Sequence, residues 1–145
     1  MAREFERIIA PIDGSEGAKK AARKAIYLAK HLGVKVVALY VVDASLIAKR
    51  PSPEELGSFN IDRFLEKEGL AALDEVESMG MEEDVTVEKK MVEGIPDHEI
   101  IELAGKNDLI VMGSKGMTAL DRILIGSVSE KVMHHADGPV LIVRE

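Results

Sequence analysis

Hydrophobic and polar positions follow two rhythms along this chain. Apolar, mostly β-branched runs occur at Arg7–Ile12 (RIIAPI), Val34–Val42 (VKVVALYVV), Val85–Val92, Leu109–Met112 and Val140–Val143. Their length and composition predict five strands. Between them the apolar spacing changes to three and four residues. From about Ser15 to Leu32, the stripe Ala18, Ala21, Ala22, Ala25, Ile26, Ala29 and Leu32 predicts a helix that Gly33 stops. A second helix is expected from Ile61 to Met79, with Phe64, Leu65, Ala72, Leu73 and Val76 facing inward and Gly80 ending it. Pro96 opens a third at its first position, where a missing N–H costs nothing. Ser127 and Glu130 form a capping-box pattern for a fourth, backed by Val128 and Val132.

Strands alternating with helices predict an α/β fold, doubly wound around a parallel sheet of five strands with helices on both faces. No composition shift or repeat divides residues 1–145, so a single domain is expected. Glu88, Lys89 and Lys90 interrupt the third strand and place it toward a sheet edge. The connection Asp43–Asn60, with Pro51 and Pro53, exceeds a plain turn and reads equally as a binding segment or a surface excursion.

Composition removes several classes of function. The absence of cysteine excludes disulfides, thiolate metal sites and thiol catalysis. A net charge of −7 and 3% aromatics argue against nucleic-acid partners, duplex or single-stranded. No apolar run reaches the length of a membrane span, and the charged start MAREFERIIAPID resembles neither a signal peptide nor an anchor, so no membrane partner and a cytoplasmic location are expected. The lack of Gln, with only two Asn, leans toward a thermophilic source.

Chemistry concentrates where strands end. In doubly wound sheets ligands bind outside the carboxyl ends of the strands, and here these ends read APIDGSEG, YVVDAS, VEGIPD and VMGSKG. Gly113 and Gly116 suit close approach of backbone N–H groups to an anion. Met117, Leu120 and Leu124 suggest a helical turn returning the chain to Gly126. A helix beginning at Ser127 directs orphan N–H groups and a positive dipole end into the same space. The competing reading is punctuation: a turn at Gly113 and Gly116, a stop at Gly126, a cap at Ser127. Asp13 divides similarly between ligand contact and capping shared with Ser15. Neither a G-x4-G-K-[ST] loop nor a G-x-G-x-x-G is present. His134 and His135 are adjacent in a last helical turn, where cations suit the dipole, and His31 reads the same way.

The pattern G-x2-G-x9-G-S at Gly113, Gly116, Gly126 and Ser127 resembles the ATP-binding branch of the universal stress protein family. The likeness extends along the chain through PIDGSEGA, EGIPDHEII, DLIVMGSKG and GPVLIVRE. It implies an adenine nucleotide alpha hydrolase-like fold with strand order 3-2-1-4-5. It also implies ATP as ligand, with Mg or Mn held through the phosphates, and no identified metal residue. By position, Gly113, Ser114, Lys115, Gly116, Gly126, Ser127, Val128 and Ser129 would serve ribose and phosphates. Pro11, Ile12 and Val41 would flank the adenine, and Asp13 would lie near the ribose or the metal. Arg122 is a further candidate cation. The family habit of pairing last strands, with the uncovered edge of Val140–Val143, implies a homodimer.

The leading expectation is a nucleotide-dependent stress-response switch read by an unknown protein partner. A second reading is a slow ATPase or self-phosphorylating enzyme, for which no general base is legible near the γ-phosphate. A third is a nucleotide-independent dimeric interaction module.

Overall fold

The computed structural model describes residues 4–45, 61–116 and 125–144. Most of the Asp43–Asn60 connection, and Met117, Leu120, Arg122 and Leu124, lie outside these described residues. The elements are β1 (Arg7–Ile12), α1 (Glu16–Leu32), β2 (Lys35–Asp43), α2 (Ile61–Glu82), β3 (Val87–Gly94), α3 (Pro96–Leu103), β4 (Asp108–Gly113), α4 (Ser127–His135) and β5 (Val140–Val143). The five strands form one parallel sheet in the order β3-β2-β1-β4-β5, as expected.

Successive strand residues point to opposite faces, and each face carries its own core. Ile8, Ala10, Ile12, Val36, Ala38, Val111 and Val143 pack under α1 and α2 with Ala21, Ala22, Ala25, Leu73 and Val76. Ile9, Val37, Leu39, Ile110 and Met112 pack under α3 and α4 with Ile100, Ala104 and Val132. Every residue of β4 is buried, which is why its sequence is continuously apolar after Asp108. The alanine stripe of α1 presents almost no side-chain height, so this helix lies close to the sheet.

The predicted boundaries shift in places. β2 begins at Lys35, and β3 lies two residues later than expected at both ends, starting at Val87 because Val85 is held in the preceding turn by its N–H donating to Gly80 O (2.8 Å). Gly80 does not end α2, which continues to Glu82; the left-handed residue is Asp84, at φ 58°. Gly80 is instead buried against Val87, where a side chain would collide. Leu32 and Phe64, expected to face inward, are 41% and 47% exposed. β3 is an edge strand, its charges facing solvent and pairing with neighbours such as Asp74 and Glu77.

At the amino ends of the strands, Asp108 is buried and its Oδ2 accepts from Arg7 Nε (3.1 Å) and Gly105 N (2.8 Å). Arg7 Nη2 also donates to Leu103 O (2.9 Å). These bonds tie β1 to the turn between α3 and β4. Asp108→Ala leaves a cation and an amide without their acceptor. Loss of one partner of a buried pair costs about 3–5 kcal/mol, reduced to about 2–3 here by the exposure of Arg7. A urea midpoint unchanged by this substitution would show that the pair is only decorative.

Candidate functional site

Strand order reverses between β1, which leads outward to β2, and β4, which leads to β5. Connections leaving such a point diverge to opposite faces and leave a crevice at the carboxyl end. The ladders reflect it: β1 pairs with β2 through Ile12–Tyr40, whereas β1 and β4 pair only over Arg7–Ile9 and Asp108–Ile110. Three segments converge there: Asp13–Ser15, Gly113–Gly116 and Gly126–Ser129.

In the first segment, Gly14 takes a positive φ of 84° and turns the chain into α1. Ser15 is the N-cap, its Oγ accepting from Ala18 N at 3.1 Å. Asp13 Oδ1 accepts from the N–H (2.9 Å) and the hydroxyl of Ser15. The two roles that the sequence left open are thus divided. Ser15 caps the helix, and Asp13 orients Ser15 while its Oδ2 lies beside Gly116, where a Cβ would sit 2.9 Å away.

None of Gly113, Gly116 and Gly126 has a positive φ, so close approach rather than handedness demands glycine at each. A Cβ on Gly113 would lie 3.0 Å from the carbonyl carbon and oxygen of Gly17, inside the first turn of α1. Gly113 therefore admits α1 to the end of β4, and Gly116 admits Asp13. A Cβ on Gly126 would sit 3.3 Å from Lys115 Cα and 3.5 Å from Ser114 O. Gly126 N donates to Ser114 O at 2.5 Å, so the two glycine segments are joined backbone to backbone.

The capping box expected at Ser127 does not form. Gly126 is the N-cap of α4, without a side-chain hydrogen bond, and Ser127 is the first helical residue. The spacing S-x-x-E looks the same in either register. Glu130 N is the first to donate within the helix, to Gly126 O (3.0 Å). The amides of Ser127, Val128 and Ser129 precede it at a helix terminus, where no intrahelical acceptor exists. They follow Gly126, which lies against the Lys115–Gly116 backbone, and Gly116 in turn borders Asp13, so the positive end of the dipole opens on this side of the crevice.

Ser129 is buried and its Oγ donates to Gly113 O (2.8 Å), fastening α4 to the end of β4. Ser114 is also buried, its N–H donating to Val143 O (3.1 Å). Lys115 is partly buried. On the next strands, Pro11 and Val41 are partly buried, and Val41 packs against the α3–α4 core. Ile12 points the other way, buried under α1 and α2, and offers the crevice only backbone.

Tyr40 was not singled out in the sequence. It pairs with Ile12 across the β1–β2 ladder and packs against Gly69 of α2. Burial raises its phenol above the ordinary tyrosine range, and the charges of Asp13 and Glu68 raise it further, so it stays neutral at physiological pH. Gly17 was also passed over, although a glycine in a first helical turn is a visible cost. His134 and His135 are exposed in the last turn of α4, as their dipole reading implied. A separate shallow groove, lined by Leu39, Lys90, Val92, Glu99, Glu102 and Leu103, contains none of the converging residues.

Oriented amides, a lysine and a carboxylate on one crevice can hold a ligand that is anionic at one end and carries hydroxyls nearby. Among the described residues no group of three or more His, Asp or Glu gathers to hold a metal. Asp13 Oδ2 is an oxygen donor of the type Mg takes, which would leave the remaining positions to phosphates and water.

This fold defines a doubly wound α/β protein with a crevice at its topological switch point. The Universal stress protein family matches residues 4–144. Universal stress protein MJ0531 of Methanocaldococcus jannaschii is 43% identical over 144 residues, covering 97% of this chain and 83% of its own. The solved structure of the MJ0577 protein, from the same organism, superposes with a TM-score of 0.81 at 30% identity, covering 98% of this chain and 97% of its own. A universal stress protein solved in complex with cAMP shares the fold, with a TM-score of 0.69, 23% identity and 97% of each chain covered. The chain belongs to the universal stress protein family.

Proposed function

We propose that this protein binds ATP at the β1–β4 crevice and acts as a nucleotide-dependent regulatory switch. The observation that carries the reading is the uncapped start of α4, set against Asp13 by the joined glycine segments. Phosphates accept from the amides of Ser127, Val128 and Ser129 and from Lys115, and Mg rides on the phosphates beside Asp13. The ribose lies toward Asp13, and the base lies between Pro11 and Val41. Ser129 acts through its backbone amide, since its side chain is buried, and Ser114, whose N–H and carbonyl are bonded to Val143 O and Gly126 N, holds the two segments in place. A protein of this fold crystallised with cAMP is in keeping with an adenine nucleotide here. The switch requires a partner that binds the free and loaded states with different affinity.

Titration of Mg-ATP into nucleotide-stripped protein tests the reading by calorimetry. Micromolar binding, about −8 kcal/mol, is expected. No heat at millimolar ATP refutes it.

The proposed homodimer rests on β5, an edge strand whose Leu141 is 38% exposed. Pro139 O and Val143 O point to β4, so Ile142 directs its N–H to the open edge. Ile142→Pro therefore removes an outward donor without touching the β4–β5 ladder. At 500 mM salt the variant is expected to sediment as a monomer with an unchanged circular dichroism spectrum. A variant that remains dimeric at that salt would exclude pairing through β5.

A further inference from the structure

The α1–α2 face combines two strips of opposite charge. α1 carries five Lys or Arg against one Glu, in a chain whose net charge is −7. α2 carries seven Asp or Glu against two cations. Part of this is satisfied within the molecule, through Lys19–Glu75 (3.5 Å) and Lys30–Glu83 (3.0 Å). Lys20, Arg23 and Lys24 have no ion pair among the described residues, and all three are exposed. They stand three and four positions apart, where like charges repel along a helix. These residues work against the helix that carries them. One turn beyond, Tyr27 is 59% exposed and packs at a tilt against His31, ring centroids 4.6 Å apart. On α2, Glu82 is exposed and equally without an ion pair among the described residues.

We infer that this face is a second self-association surface, on which α1 of one copy lies over α2 of another. Both helices return across the same face of a parallel sheet, so they run in the same direction. The ion pairs set Glu75 level with Lys19 and Glu83 level with Lys30. A two-fold axis parallel to the helices, between two such faces, then lays the Lys20–Lys24 strip over the partner's Val76–Gly80 stretch, with Ser78 inside it and Glu82 just past its end. Every contact is made twice, as an isologous interface requires. Arg23 within the strip and Tyr27 one turn beyond it are residue types that interfaces favour.

A flat anionic membrane fits less well. It would cover α2 together with α1 and meet the carboxylates within a Debye length of the cations. The alanine and isoleucine stripe of α1 is committed to the core, so beside the cations the helix offers a membrane little more than Tyr27 and Leu32. The face is distinct from the β5 edge, and both contacts can form at once.

Sedimentation velocity on the full chain, between 25 and 500 mM salt, reads the contact as a salt-sensitive association step. Wild type is expected to gain a heavier species at low salt. Lys20→Glu/Arg23→Glu/Lys24→Glu is expected to weaken that step at least tenfold. Ser78→Lys/Glu82→Lys, which spares the Lys19–Glu75 pair, should do the same. Mixing the two variants restores complementarity on both halves of the interface and should restore the heavier species. The proposal is overturned if wild type shows no salt-sensitive step, if the reversals leave it unchanged, or if mixing does not restore it. Binding of wild type to anionic vesicles, abolished by the α1 variant without any self-association, would overturn it in favour of a membrane surface.

Discussion

Replacing Gly138 by alanine is expected to lower the urea midpoint more than any other single methyl added to this protein. A Cβ there would lie 2.9 Å from three backbone oxygens at once, those of Gly105, Lys106 and Asp108. Side chains swing away from such a contact, but these carbonyls belong to the turn that launches β4. Asp108 is itself held by Arg7 and Gly105, so the turn has few ways to yield. Gly138 also sits one residue before Pro139, whose carbonyl accepts from Ile110 N at 3.1 Å. Displacing it pulls the start of β5 off β4. Overpacking costs about 1–3 kcal/mol where neighbours can adjust, and the upper end applies to a backbone cage. A loss of about 3 kcal/mol corresponds to roughly 10 °C in Tm for a domain of this size. A midpoint within about 0.5 kcal/mol of wild type would mean that the turn relaxes and the close approach is incidental.

The same glycine shows how far the sequence could be read. G-P before a final strand announces a turn, but nothing in the letters reveals three carbonyls closing on one α-carbon. Strands and their order were legible because the central strands are apolar on both faces and the glycine spacing matched a known pattern. The helix boundaries that moved did so for tertiary reasons. Gly80 looks like a stop, yet it is glycine because Val87 packs on it, and Asp84 makes the turn instead. In the crevice, the residue types were visible and their division of labour was not. Gly113 reads as a place for an anion to approach, whereas its missing Cβ admits Gly17 of α1. Ser127 reads as a cap, whereas Gly126 holds that position. Ser129 reads as a ligand contact, whereas its hydroxyl is committed to Gly113 O. Tyr40 emerged only from the β1–β2 register, which places it beside the end of β1.

Gly126→Val is expected to abolish ATP binding while leaving the protein folded. Two effects act in the same direction. A Cβ at this position already approaches Lys115 Cα and Ser114 O at 3.3 and 3.5 Å, and the two γ-methyls of valine add bulk against the same backbone. The bond from Gly126 N to Ser114 O (2.5 Å), which joins the glycine segments, lengthens or breaks. Valine is also among the poorest N-cap residues, so the start of α4 loses definition where its amides must converge on phosphate. A loss of at least 100-fold in affinity, about 2.8 kcal/mol, is expected by calorimetry. The far end of the sheet, with Arg7, Asp108 and Gly138, does not touch this loop, so the urea midpoint should fall by about 1 kcal/mol or less. Gly126→Ser separates the two effects. Serine caps well, and its Oγ can accept from the amides at the second or third helical position. Those are the amides of Val128 and Ser129, which the proposed site offers to phosphate. A serine variant that folds normally and binds ATP more weakly shows that the glycine keeps those amides open for a ligand. If both variants bind as wild type does, the start of α4 is not the phosphate site, and the glycines serve only to pack Gly113, Gly116 and Gly126 against their neighbours.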